Sequence, residues 1–135
     1  RDHALFQPTL LRDVDPRMRI VCEEAFGPVA VLIPYDELDE AIAMANSTEY
    51  GLQAAVFTSS LDVAMRAAKA IRAGGIMVNR SSNFRVDNLP FGGMKASGHS
   101  REGGRFTVEE MTQRKLVLID HALAGAPHPL SGQKH

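Results

Sequence analysis

The fold class of this 135-residue chain is indicated by one stretch, residues 29–79, VAVLIPYDELDEAIAMANSTEYGLQAAVFTSSLDVAMRAAKAIRAGGIMVN. It alternates three apolar runs with two segments of helical periodicity. The apolar runs at 29–35, 51–59 and 75–79 have the length and continuity of buried strands. Because strands that alternate with helices form parallel βαβ units, we predict an α/β fold with a parallel sheet.

Both segments between the strands have apolar residues on one helical face. Asp36 is the predicted N-cap of the first helix, since a short acidic side chain suits that position. The predicted apolar face of the first helix consists of Leu38, Ala41, Ile42 and Ala45. That of the second helix consists of Leu61, Ala64, Met65, Ala68 and Ile71.

The flanking sequence adds shorter elements and one long loop. Before residue 29 we predict a strand in 5–11 and a helical turn in 15–22. After residue 79 comes a Gly-rich loop, 80–104, and a loop of that length in a compact domain is usually functional. A helix near 104–111 and an apolar strand, KLVLI at 115–119, follow. Because the chain opens without Met, directly in an apolar run, we expect it to be a piece of something longer.

Composition excludes several classes of partner. The net charge of −1 gives no indication of nucleic acid or an anionic membrane surface as a partner. The apolar runs are far too short to span a bilayer, and no charged-then-apolar leader opens the chain. A single cysteine rules out an internal disulfide, which suits a reducing cytoplasm, so a cytoplasmic location is expected.

Cys22 resembles a nucleophile, but its neighbours argue against that role. A reactive thiolate needs a cation, a histidine or a helix N-terminus, whereas Glu23 and Glu24 would raise the pKa of this thiol. We therefore predict a buried, structural cysteine. The scattered histidines do not pair at i, i+4 and there is no second cysteine, so no metal site is expected.

Glu24 and Phe26 are the first candidate binding residues. A carboxylate can accept two hydrogen bonds from a vicinal diol such as a ribose, and an aromatic ring can cover a flat heterocycle. On an extended backbone the two side chains would point to the same side. From the residues alone, the favoured alternative is an exposed Glu beside a core Phe.

Arg80 and Arg85 are the second candidates, near the tip of the long loop. The planar guanidinium fork suits carboxylate and phosphate groups. Alternatively, Arg85 pairs with Asp87 or with another surface acid, and such a pair contributes little. The glycines of 92–104 match neither common phosphate-binding pattern, so on their own they indicate tight turns.

Three motifs together indicate a known family. CEEAFGPVAVL at 22–32, the segment 43–79, and PFGGMKASGHSREGG at 90–104 closely resemble the C-terminal part of the aldehyde dehydrogenase superfamily. The resemblance runs from about residue 6 to 119. NRSSNFRVDNLPFGG most resembles the branch that acts on small polar or anionic aldehydes, such as the lactaldehyde, non-phosphorylating glyceraldehyde-phosphate and phosphonoacetaldehyde enzymes.

The resemblance implies a function and a set of roles. Such enzymes use NAD or NADP to oxidise aldehydes to carboxylic acids. The second Glu of the first motif, here Glu24, would bind the nicotinamide ribose, and Phe26 would pack near the nicotinamide. Phe91 in PFGG would lie beside the active site, with Arg80 and Arg85 as further candidate substrate-binding residues.

The departures from the family matter equally. The Gly-rich cofactor domain, the nucleophilic cysteine and the glutamate base are absent, so this chain holds no catalytic residue and should be inactive alone. We expect a partial catalytic domain of three-layer, parallel-sheet architecture over 1–113, an oligomerisation strand over 114–120 that joins a homodimer or homotetramer, and a disordered tail over 121–135. The alternative is a stand-alone, non-catalytic α/β domain that binds a nucleotide or a partner protein.

Overall fold

A computed structural model describes residues 5–119 of the chain, and the predicted tail at 121–135 lies outside them. Within the described residues, short strands alternate with helices, as the sequence predicts. In chain order the elements are β1 (Thr9–Arg12), α1 (Arg19–Cys22), β2 (Val29–Leu32), α2 (Leu38–Asn46), β3 (Gln53–Val56), α3 (Leu61–Ala70), β4 (Gly75–Val78) and α4 (Gly104–Met111). Lys95–Ser97 forms a single 3₁₀ turn.

The strands pair in parallel, which confirms the predicted α/β class. β1 pairs with β2 with Thr9 opposite Val29, and β3 pairs with β4 with Gln53 opposite Gly75. Over the described residues these are two separate two-stranded sheets, because β2 does not hydrogen-bond to β3. The apolar runs therefore predicted where the strands lie. The spacing of these runs did not predict which strands pair.

The helices form where predicted, with one difference at a helix start. Glu37, not Asp36, is the N-cap of α2, and the Asp36 backbone N–H instead donates to the Glu40 carboxylate at 3.2 Å. Ser60 caps α3 by accepting from Val63 N at 3.3 Å.

The predicted apolar face of α3 is only partly correct. The buried residues are Ala64 and Ala67, whereas Leu61 is 75% exposed and Met65 50% exposed. Small alanine side chains let α3 lie close to its neighbours, which leaves the larger apolar side chains on an open face of the helix.

The core of the described part is small. Its buried apolar residues are Ile42, Ala64, Ala67 and Ala73, and no large side chain there is fully buried. Since burial stabilises by about 0.8 kcal/mol for each CH₂ group, three alanines supply little of the usual hydrophobic stabilisation. No helix in residues 5–119 is long and apolar enough to cross a bilayer.

The KLVLI segment differs from its prediction. Residues 115–119 form no strand, and Leu116 and Leu118 are about nine-tenths exposed, at 91% and 88%. A strand is defined by its pairing with a neighbouring strand, and within residues 5–119 none pairs with this segment.

Candidate functional site

The Gly-rich loop folds back onto the connection between α2 and β3. Lys95 Nζ donates to the carbonyl of Thr48 at 2.7 Å and to that of Asn46 at 3.4 Å. The hydroxyl of Ser97 accepts from Gly51 N at 2.9 Å, while Gly51 O accepts from the backbone N–H of Met94 at 2.8 Å. These bonds hold residues 94–97, which follow PFGG, against the connection between α2 and β3.

Asn46 ties the ends of α2 and α3 together. Its Nδ2 donates to Ala70 O at 2.8 Å, and its Oδ1 accepts from Arg72 N at 2.7 Å. Sequence reasoning missed both Asn46 and Lys95. A polar residue at the last position of a helix was the available signal, because helix ends leave backbone groups that side chains must satisfy.

A cavity of about 530 Å³ opens between these elements, and Glu24 lies on its wall. Its polar lining includes Thr48, Tyr50, Gln53, Arg72 and Ser97. Negative charge acts on Tyr50 in this wall: Glu49 raises the pKa of Tyr50, and Glu24 and Glu23 add smaller effects of the same sign.

The two adjacent carboxylates have different surroundings. Glu23 is engaged by Arg19, whose Nε and Nη2 donate at 2.8 and 2.7 Å, and this hydrogen bonding lowers the pKa of Glu23. Glu24 instead faces the cavity. The second Glu of the motif is thus the one available to a ligand.

Phe26 is 93% exposed and is not part of the cavity wall. The alternative of a core Phe at this position is therefore wrong. Phe26 follows Glu24 on an irregular segment that leads into the Gly27–Pro28 corner before β2. The exposed ring can therefore be covered by a planar group that is not part of residues 5–119.

Cys22 is exposed, so the prediction of a buried thiol is wrong. Its Sγ donates to Pro16 O at 3.1 Å. The physical reason is that α1 is one helical turn on the surface and has no buried residue. In residues 5–119 no three His, Cys, Asp or Glu side chains come together as metal ligands could.

The second group of candidates surrounds Phe91. The guanidinium of Arg85 lies over the Phe91 ring, 4.5 Å from its centroid, and its Nη2 is 2.9 Å from Glu102 Oε2. Asp87, the partner considered from the sequence, is 3.8 Å away and fully exposed. Arg80 lies apart from this group and covers the ring of Phe84 at 4.1 Å.

A smaller cavity of about 90 Å³ lies beside this group. Arg85 and Phe91 line it together with Phe84, whereas Arg80 does not. Gln53 on β3 lines both this cavity and the larger one on which Glu24 lies. The structure thus brings Arg85 and Phe91 together, one side chain away from the cavity of Glu24.

Comparison with known proteins gives a consistent result. The model of the family described as "Aldehyde dehydrogenase family" matches residues 1–117. A 3-sulfolactaldehyde dehydrogenase from Priestia aryabhattai is 43% identical over 120 residues, which are 89% of this chain and 25% of that protein. A lactaldehyde dehydrogenase from Methanocaldococcus jannaschii is 48% identical over 88% of this chain and 25% of its own length.

Solved structures agree with the sequence comparison. The crystal structure of glyceraldehyde-3-phosphate dehydrogenase GapN from Methanocaldococcus jannaschii, complexed with NADP, superposes with a TM-score of 0.77 at 47% identity. The match covers 82% of this chain and 24% of that one. The chain therefore spans about a quarter of the length of the relatives it matches.

Proposed function

The chain belongs to the aldehyde dehydrogenase family, and we propose that it is part of a longer nicotinamide-dependent enzyme that oxidises a small anionic aldehyde to its carboxylic acid. Two of the similar proteins are named for aldehydes that carry a sulfonate or a phosphate. The observation that carries the proposal is the placement of Arg85 on Phe91, beside the cavity that shares Gln53 with that of Glu24.

Glu24 is the proposed ribose-binding residue. The large cavity presents its carboxylate without the arginine partner that engages Glu23, and a carboxylate of this kind can accept both hydroxyls of a ribose. Phe26 would support the nicotinamide end through its open ring face. A bound NAD or NADP would supply the acceptor for the substrate hydride, and the chain's own part is to hold that acceptor in place.

Arg85 and Phe91 are the proposed substrate-binding residues. Arg85 offers donors to a carboxylate, phosphate or sulfonate group, and Phe91 keeps the guanidinium plane in position. Arg80 lies two residues after the end of β4 and covers Phe84, so we assign it a supporting role in the same loop. The nucleophile and the general base would come from other parts of the longer protein.

The KLVLI segment is the proposed site of subunit association. Its leucines are exposed and unpaired by any strand in residues 5–119. Pairing with the edge of a second copy would satisfy its backbone and cover its side chains. A homodimer or homotetramer in the cytoplasm is the expected form of the enzyme.

The proposed function is tested with the full-length protein that contains this chain. Matched anionic and neutral aldehydes are assayed for formation of reduced NAD and reduced NADP. We expect reduction to depend on aldehyde and to be faster with the anionic member of each pair. Absence of aldehyde-dependent reduction with both cofactors would contradict the proposal.

The isolated chain is the control and should be inactive, since a covalent nucleophile is required. Turnover by the isolated chain that is lost in Cys22→Ser would mean that Cys22 is the nucleophile after all.

A further inference from the structure

We infer that Glu102 is a specificity-determining residue of the substrate site: its carboxylate occupies Arg85 in the free enzyme, and an anionic aldehyde must displace it. The inference rests on the proposed function, in which Arg85 binds the anionic group of the substrate. In this inference Glu102 competes with the substrate for Arg85 and does not itself bind the substrate.

Glu102 and Arg85 both contact Phe91, Glu102 through its backbone and Arg85 through the aromatic ring. The guanidinium of Arg85 covers the Phe91 ring at 4.5 Å. The backbone of Glu102 forms an antiparallel bridge with that of Phe91, with N–H···O distances of 2.6 and 3.1 Å. The Glu102 carboxylate then reaches Arg85 Nη2 at 2.9 Å. A carboxylate is thus held where the anionic end of a substrate would meet the arginine.

The Glu102 segment is held by bonds that do not involve Arg85. The neighbouring Arg101 donates through Nη1 to Gly93 O at 2.8 Å, and its backbone N–H donates to the carboxylate of Glu110 on α4 at 3.0 Å. The backbone at Glu102 therefore keeps its place when the ion pair opens. Only the Glu102 side chain has to move.

The ion pair is exposed enough to be displaced. The side chain of Arg85 is 45% exposed and that of Glu102 60% exposed. Exposed pairs of this kind shift an equilibrium by about two- to fivefold. Glu102 is therefore a weak competitor: it lowers the apparent affinity for an anionic aldehyde by that factor and leaves Arg85 accessible.

The test is Glu102→Gln in the full-length enzyme, assayed with matched anionic and neutral aldehydes. We expect the ratio of kcat/KM for the anionic aldehyde to that for the neutral one to rise about two- to fivefold. Asp87→Asn is the matched control, since that carboxylate is farther from Arg85 and fully exposed, and it should shift the ratio less. In an Arg85→Ala background, Glu102→Gln should no longer change the ratio.

The results for Glu102→Gln test the competition for Arg85, and the result for Arg85→Ala tests the anionic-substrate proposal. A ratio that falls in Glu102→Gln would show that Glu102 orients Arg85 for the substrate, and a ratio that stays constant would show that the two do not compete; both overturn the inference. If Arg85→Ala alone leaves the ratio unchanged, the anionic-substrate proposal fails instead.

A second measurement does not depend on the variants folding. Crystal structures of the wild-type enzyme are compared with and without inorganic phosphate at Arg85. We expect the contact between Arg85 and Glu102 in the free form and its loss in the phosphate complex. Phosphate bound to Arg85 with the Glu102 contact intact would overturn the inference.

Discussion

Asn79 is joined to Thr58 by two hydrogen bonds of 2.8 Å: Thr58 N donates to Asn79 Oδ1, and Asn79 Nδ2 donates to Thr58 O. Asn79 has a φ of 55°, in the left-handed region that asparagine tolerates better than most residues. It stands at the point where β4 has ended and the loop of Arg80 and Arg85 begins. The two bonds therefore fix the direction in which the candidate substrate loop leaves the sheet.

We predict that Asn79→Ala destabilises the full-length protein by about 2 to 4 kcal/mol, because it removes both hydrogen bonds and places alanine, which tolerates a left-handed φ less well than asparagine, at this position. Asn79→Gly loses the bonds but keeps the conformation, so it should cost less. Urea unfolding measures both, with the exposed loop residue Asn83→Ala as the control. Equal stability of Asn79→Ala and wild type would show that the pair is dispensable.

Gly74 gives a second prediction about the same region. A Cβ on Gly74 would lie 1.6 Å from the carbonyl oxygen of Gly92, so Gly74→Ala must push β4 and the PFGG segment apart. We expect the free energy of unfolding to fall by about 1 to 3 kcal/mol. Gly104→Ala, at the first position of α4 with open space around it, is the control and should not destabilise. A Gly74→Ala protein as stable as Gly104→Ala would show that the close approach is absent.

Arg85→Ala should impair anionic substrates selectively. Loss of a charge-assisted hydrogen bond costs about 1.5 to 3 kcal/mol, which is a roughly ten- to hundredfold loss in kcat/KM. A neutral aldehyde should be affected far less. Arg80→Ala is the comparison, and since Arg80 lies on Phe84 outside the small cavity, we expect a smaller and less selective effect. Equal losses on both substrates in Arg85→Ala would mean that Arg85 supports the loop only.

The isolated chain should self-associate. Its described part exposes Phe26, Phe57, Leu116 and Leu118, each more than two-thirds accessible, and its buried core is mostly alanine. Exposed apolar area on this scale favours association. Sedimentation velocity over a range of concentrations measures it. A clean monomer at high concentration would instead support the stand-alone domain that the sequence left as an alternative.

The sequence predicted the helices and strands better than it predicted the contacts between elements far apart in the chain. Periodicity identified the strands at 29–35, 51–59 and 75–79, because each is a continuous apolar run between helices. It could not show that β2 and β3 lie in separate sheets, since strand order depends on contacts far apart in the chain. It also assigned Leu61 to the buried face of α3, where alanines pack instead.

The candidate site was predictable to a similar extent. The motif singled out Glu24, which does lie on a cavity, whereas the burial of Cys22 was predicted wrongly because neighbours in sequence say little about tertiary cover. The alternative that Arg85 pairs with Asp87 or with another surface acid is confirmed, since Arg85 lies 3.8 Å from Asp87 and 2.9 Å from Glu102. The sequence could not single out Glu102, which is seventeen positions away. Asn46 carried one sequence signal, a polar residue at the end of a helix, whereas nothing in the sequence distinguished Lys95 from an ordinary surface residue.

Single-turnover kinetics of Glu24→Gln in the full-length enzyme show whether Glu24 holds the cofactor of an aldehyde dehydrogenase. Small misplacements of a reacting group slow its reaction steeply, so hydride transfer should slow about tenfold or more while aldehyde capture stays near the wild-type rate. Glu23→Gln, which loses only an exposed pair with Arg19, is the matched control and should leave both steps close to wild type. Hydride transfer in Glu24→Gln at the wild-type rate would contradict the account.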